Sequence, residues 1–259
     1  EQLKSQQRKA LVSYVMAGDP HPQVTVPLLH QMVEAGVDVV ELGLPFSDPM
    51  ADGPVIALAA ERALAGGSST LDALNMVKEF REKDQTTPVV LMGYLNPVEV
   101  IGYEKFVAYA KDCGVDGVLL VDLPPEESKQ FGDVLKQNEM DQIFLLAPTS
   151  TDKRIQHVVN QASGFVYYVS LKGVTGAATL DTSEAAARIA KIKSMTNVPV
   201  GVGFGISDAA SAKAMGQVAD AVIVGSAFVK SFAILPADEA VQQTVNKVKE
   251  LRAALDELV

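Results

Sequence analysis

Eight short apolar runs punctuate the chain: LVSYVMAG, VDVVELGLP, PVVLMGYLN, GVLLVDLP, QIFLLAPT, GFVYYVS, VPVGVGFG and DAVIVGSA. They are near-continuous rather than strictly alternating, which is the pattern of strands covered on both faces. Helix-length segments with a 3.6-residue period lie between them. In VPLLHQMVEAG, the residues Val26, Leu29, Met32 and Val33 share a face. In the last such segment Val241, Val245, Val248, Leu251, Leu255 and Leu258 do. Strand and helix in steady alternation predict parallel pairing with right-handed crossovers. Eight such units close into a (β/α)8 barrel of the TIM type, an α/β fold, here read as a single domain over residues 1–259. An open doubly wound sheet is the structural rival. It would carry a glycine-rich dinucleotide turn after the first strand, and MAGDPHP lacks that spacing.

A weak internal repeat supports the regular architecture. EAGVDVVEL, DCGVDGVLL and GQVADAVIV each read as a helix end, a small turn, an aspartate and a strand. Gly36 and Gly114 stand where a helix takes a left-handed cap. Asp38, Asp116 and Asp220 are expected to form turns on the face away from any active site.

Composition narrows the function classes. The 259 residues carry a formal net charge of −10, with a pI near 4.8. Such a surface repels phosphate backbones, so nucleic acid is not an expected partner. No apolar run approaches the roughly 18 residues that span a bilayer, and no basic segment precedes an apolar one at the start, as a secretion signal would. Cys113 is the single cysteine and is read as core filler in a helix. His21, His30 and His157 have no ligand spacing, so no metal site is expected. A cytoplasmic location fits these features.

In a barrel of this kind the loops after the strands carry the chemistry. The second strand ends in ELGLPFSDPMADGP. If Val40 and Leu42 face the helices, Glu41 points into the barrel, where burial raises a carboxyl pKa toward the range of a general acid or base. The bland alternative is a Glu held by a backbone amide or a distant lysine. Asp52 follows in a loop stiffened by Pro45, Pro49 and Pro54; its alternative is a turn former before Gly53, and Asp48 in SDP reads as an ordinary turn. After the sixth strand, the segment 170–183 is long and rich in small residues, a candidate lid, in which Thr175 and Gly176 can offer a hydroxyl and an N–H to an anion. Gly203, Phe204 and Gly205 follow the seventh strand; Gly225 and Ser226 follow the eighth. Glycines after these strands let backbone N–H groups approach a phosphate closely. No strand ends in an inward lysine, which disfavours Schiff-base chemistry.

Several stretches, in this order along the chain, closely resemble the tryptophan synthase alpha chain family: MAGDP, ELGLPFSDPMADGPVI, GYLNP, VDLPPEE, SLKGVTG, GFGIS and VGSAFVK. The resemblance implies a retro-aldol cleavage of indole-3-glycerol phosphate to indole and glyceraldehyde 3-phosphate, without metal or organic cofactor. It places the catalytic carboxylates at Glu41 and Asp52, with Tyr167 bordering the reacting centre. It implies phosphate contacts at Gly176, Gly205, Gly225 and Ser226, with Thr175, Gly203 and Phe204 nearby, and an indole-side tyrosine at Tyr94. It also implies a beta-chain partner in an alpha2beta2 assembly, docked on the loops after strands two, three and six, where Val98, Val100 and Ile101 are apolar and either belong to that interface or form the buried side of the next helix. Two other readings remain: a different phosphate-binding barrel enzyme of the sugar-phosphate isomerase type, and a non-catalytic barrel that activates a partner.

Overall fold

A computed structural model describes residues 2–169, 182–203 and 205–258. The strands are β1 (Ala10–Met16), β2 (Val39–Gly43), β3 (Val89–Gly93), β4 (Gly117–Leu120), β5 in two pieces (Asp141–Gln142 and Phe144–Leu146), β6 (Val166–Val169), β7 (Val200–Gly203) and β8 (Ala221–Val224). All pairings are parallel, and each strand lies beside its neighbours in sequence, with β1 against β8. The expected eight-stranded barrel is therefore the fold.

Closure happens at β5 in an unusual way. Its first piece pairs with β4 and its second with β6. Between them Ile143 donates its N–H to Val118 O at 3.0 Å and packs inward with Val90 and Leu119. Ser163, before β6, reaches back to the first piece. Its N–H donates to Gln142 O, and its Oγ accepts from Gln142 N, both at 3.0 Å. Outside this joint, the flanking helices Lys129–Gln137 and Asp152–Gln161 leave a polar groove of about 940 Å³ over Gln142.

The strands are buried on both faces because two apolar layers meet them. Val40, Leu42, Val89, Leu91, Val200 and Val202 pack outward against the helices. Val12, Ala221 and Ile223 form one inner cluster, and Val90, Leu119 and Ile143 another, bridged by Val39, Phe165 and Tyr167. Helix Pro22–Glu34 buries Val26, Leu29 and Met32 as its periodicity predicts. Helix Tyr103–Cys113 ends at Gly114 in the left-handed region at φ 88°, and Cys113 is buried. The simple alternation of one helix per strand does not hold. Extra helices Pro54–Ala65 and Leu95–Ile101 sit in the loops after β2 and β3, and Ser226–Val229 with the 3₁₀ turn Lys230–Ala233 follows β8. Gly102, at φ 90°, separates Leu95–Ile101 from the next helix. All three insertions thicken the loops after strand ends, and none alters strand order. Among the described residues no helix is long and apolar enough to cross a membrane.

The repeated aspartates do more than turn the chain. Each accepts an N–H from the first or second residue of the preceding strand and binds a cation. Asp38 accepts from Leu11 N at 2.8 Å and pairs with Arg8 and Arg252. Asp116 accepts from Val89 N at 2.7 Å and pairs with Arg81. Asp220 accepts from Val200 N at 2.9 Å and pairs with Lys193. A carboxylate that serves a backbone donor and a cation together clamps two strand entrances to one helix. Burial sets what each clamp is worth. The Arg252 side chain is nearly inaccessible, and without Asp38 its remaining carboxylate partner among the described residues is the half-exposed Asp256, so Asp38→Ala leaves a buried charge poorly compensated and should cost about 3 kcal/mol. Asp116 is half exposed, and Asp116→Ala should cost about 1 kcal/mol. Urea unfolding of the two variants distinguishes them; equal losses would refute the burial argument.

Candidate active site

Glu41 sits at the centre of β2, in register with Tyr14 of β1 and Val90 of β3. Val40 and Leu42 do face the helices, so Glu41 turns into the barrel. Its side chain is 0% exposed, and no described residue hydrogen-bonds to either carboxylate oxygen. Burial without a partner penalises the charged form, and the pKa is pushed up to about 8. The alternative of a Glu tied to an amide or a lysine is thereby removed for the described residues.

Asp52 lies on the loop that leaves β2 and is only partly buried. Its N–H donates to Pro49 O at 3.0 Å, which curls the loop back over the mouth. Tyr94, just beyond β3 and 3% exposed, donates its hydroxyl to Asp52 Oδ2 at 3.1 Å. The same hydroxyl accepts from Ala51 N at 3.1 Å. Burial raises the Asp52 pKa, and the Tyr94 hydrogen bond opposes that rise. The two carboxyls thus have unlike surroundings: one unpartnered, the other held by a donor that favours its charge. Asp48, by contrast, is exposed; its carboxylate accepts from the Ser47 hydroxyl at 2.6 Å and its carbonyl from Met50 N at 2.8 Å, as in an ordinary turn.

Beside Asp52 lies a tight cleft whose walls include Tyr14, Leu44, Phe46, Met92, Tyr94 and Val121, with space for about one water. The Phe46 and Tyr94 rings, 5.5 Å apart, close its top. Tyr14 is a site residue that the strand pattern did not single out. Its fully buried phenol has its pKa raised well above the usual value by burial, then by Asp52 and Glu41. A methyl on Gly43 would stand 2.3 Å from its hydroxyl, and one on Gly225 would stand 3.3 Å from its Cβ. The signal was available: Tyr14 shares the face of Val12 and Met16, and register sets it beside Glu41. Tyr167 on β6 also faces inward, with its pKa raised by burial, then by Glu41 and Asp52. Gly203 leaves it room, since a methyl there would stand 2.4 Å from the Tyr167 hydroxyl.

Gly205 has φ +69° and open space where a side chain would go, so backbone conformation rather than crowding calls for glycine there. Asp208 caps the next helix through a reciprocal pair with Ser211. Gly225 precedes the short helix that opens at Ser226. Asp52, Tyr94, Gly203, Gly205, Gly225 and Ser226 sit at or beyond the C-terminal ends of strands, while Glu41 and Tyr167 point inward from within β2 and β6. Thr175, Gly176, Phe204 and most of the candidate lid at 170–183 lie outside the described residues. Among the described residues no cluster of three His, Cys, Asp or Glu stands ready for a metal.

Comparison with known proteins supplies a family. The profile described as tryptophan synthase alpha chain matches residues 1–259. The tryptophan synthase alpha chain of Acinetobacter baumannii is 89% identical over 259 residues, covering 100% of this chain and 97% of that protein. That of Acinetobacter baylyi is 86% identical with the same coverage. Among solved structures, the tryptophan synthase subunit alpha of Legionella pneumophila superposes with a TM-score of 0.91 at 43% identity, covering 99% of this chain and 96% of that one. A chain from the tryptophan synthase a2b2 complex of Pyrococcus furiosus gives 0.88 at 39% identity, covering 94% of this chain and 98% of that one.

Proposed function

Because this chain belongs to the tryptophan synthase alpha chain family, we propose that Glu41 and Asp52 divide the work of its retro-aldol cleavage. The enzyme splits indole-3-glycerol phosphate into indole and glyceraldehyde 3-phosphate. Breaking the carbon–carbon bond requires the indole ring to accept electrons. Protonation at ring C3 makes an iminium-like cation; loss of the proton from the adjoining side-chain hydroxyl then lets the bond break. Glu41, with its pKa near 8, carries a proton at neutral pH and gives it to C3. Once ionised, it takes the hydroxyl proton. Asp52, held by the Tyr94 hydroxyl, stays ionised near the ring N–H and stabilises the cation. The observation that carries this reading is the unpartnered, fully buried carboxyl of Glu41. An idle barrel has no use for a group so costly to ionise. Release of indole from indole-3-glycerol phosphate, with and without a beta chain, tests it directly.

The remaining assignments follow the same scheme. Phosphate is bound by backbone N–H groups at Gly176, Gly205 and Gly225 and by Ser226, with Thr175, Gly203 and Phe204 beside it. Tyr94 borders the indole, and Tyr167 the reacting carbon. The cleft is too narrow for a bicyclic ring as it stands, so the loop 44–53 swings outward and Phe46 parts from Tyr94 when substrate enters. A cytoplasmic location accompanies this biosynthetic role.

The partner is a beta chain. Met50, 80% exposed, and Val100, 81% exposed, present apolar side chains on the loops after β2 and β3. Of the three apolar positions expected to dock, only Val100 is free to do so. Val98 is 0% exposed, and Ile101 packs against the core, because the helix Leu95–Ile101 turns that face inward. Met50→Asp combined with Val100→Asp should weaken the alpha–beta complex about 10-fold or more while leaving the melting temperature of the isolated chain unchanged. Unaltered affinity in a titration calorimeter would remove this surface from the interface.

A further inference from the structure

An ion pair with a buried carboxylate, close to the site, has no task in the mechanism. Asp19, in the loop after β1, is 3% exposed. Arg62, from the helix Pro54–Ala65, reaches it with both arms of its guanidinium: Nε donates to Oδ1 at 2.7 Å and Nη2 to Oδ2 at 2.9 Å. Burial raises the Asp19 pKa and Arg62 opposes the rise. A two-armed planar contact fixes orientation as well as distance, which a single point charge does not.

The pair joins two elements that matter to the site. On one side, the loop of Asp19 is set by short-range bonds: Asp19 N donates to Met16 O at 3.2 Å, Ala17 N to Gly43 O at 3.0 Å, and Gly18 N to Thr25 Oγ1 at 2.9 Å. It therefore moves with β1 and β2, the strands of Tyr14 and Glu41. On the other side, the helix Pro54–Ala65 begins directly after Asp52 and Gly53, and Gly53 is its N-cap. The fully buried residues of the helix are small, Ala59, Ala60 and Ala63, with Val55 and Ile56 partly buried against the core at its first turn, and Ala60 lines the cleft. Beyond its first turn this face is alanine, which packs closely but interlocks little against sliding or rolling. The forked contact of Arg62 supplies a stop.

We infer that Asp19 and Arg62 are positioning residues: they lock the helix Pro54–Ala65 to the strands that carry Tyr14 and Glu41, and so fix the distance of the Asp52 carboxylate from the reacting ring. The inference rests on the proposed role of Asp52. Neither residue touches substrate. Each acts through Asp52, as Tyr94 does from the opposite side. Two restraints on one carboxylate are redundant once either has failed, so their losses do not compound.

The test is a kinetic cycle of indole release with Arg62→Met, Tyr94→Phe and the double variant, melting temperatures being recorded for each. Misplacing a catalytic group from a distance costs up to about 100-fold. Arg62→Met should lower kcat about 20-fold and Tyr94→Phe about 10-fold, while the double variant falls about 30-fold rather than the roughly 200-fold product. Arg62→Lys, which keeps the charge and one hydrogen bond, should restore kcat to within about 3-fold of the parent. Multiplying losses would overturn the inference, since the pair would then act on something other than Asp52; so would an Arg62→Met enzyme with unchanged kcat. If Arg62→Met does not fold, the isosteric Asp19→Asn enters the same cycle. The reading of Asp52 itself stands or falls separately, on Asp52→Asn alone.

Discussion

Glu41→Gln abolishes indole release, with kcat lower by about 10⁴-fold, while the affinity for inorganic phosphate stays within about twofold. The size follows from the double duty of the residue: general acid–base catalysis contributes about 10²–10⁴-fold, and here one carboxyl serves both proton transfers. Glutamine keeps the shape and loses the proton. A residual rate within tenfold of the parent would mean that another group protonates the ring. Two further measurements follow from a pKa of about 8. The parent's kcat/KM should be level below that pH and fall about tenfold per unit above it, because only the protonated carboxyl can begin the reaction. Stability should move as well. Below the unfolded pKa of about 4.5 the carboxyl is protonated in both states and costs nothing. As pH rises from there toward 8, the unfolded chain sheds its proton while the folded chain retains it, so the parent loses stability across that window. Glu41→Gln has no such loss, and near pH 8.5 it should exceed the parent by on the order of 4 kcal/mol. Equal unfolding free energies at pH 5 and pH 8.5 for the pair would show that the carboxyl is not desolvated in solution.

Asp52→Asn should lower kcat by about 10³-fold and change KM little. Its carboxylate acts on a charge that exists only at the cation stage, so its loss is a loss of transition-state binding. The amide still fits beside Tyr94, whose hydroxyl then donates to a weaker acceptor. A KM raised in proportion to a modest fall in kcat would instead place Asp52 among the groups that hold the resting substrate.

The barrel was legible in the sequence because its strands are covered on both faces and its helices on one, so hydrophobic period alone separates them. Glu41 was legible for the same reason: alternation on β2 fixes its face once Val40 and Leu42 are assigned outward. Asp52 was not legible from the residues, since an acid before glycine in a proline-rich loop reads as a turn. What distinguishes it is the hydroxyl of Tyr94, 42 positions away, and sequence distance hides such a contact. The resemblance to a family named Asp52 where periodicity could not. Tyr14 lay within reach of register reasoning and was passed over because an aromatic on an inner face reads as core. The Asp19–Arg62 pair joins a loop to an inserted helix, Pro54–Ala65, that the strand–helix alternation did not anticipate. At Val98 an interface and the buried side of a helix were both open readings, and the structure takes the second, placing it on the inner side of the helix Leu95–Ile101.

The divided fifth strand gives the barrel a direction of compliance. A hoop laced evenly all round resists deformation everywhere alike; this one passes from one ladder to the next at Ile143, stitched by two hydrogen bonds between Gln142 and Ser163, beside a polar groove. That joint lies across the ring from β1, so flexing of the rim is expected there, away from the arc carrying Tyr14 and Glu41.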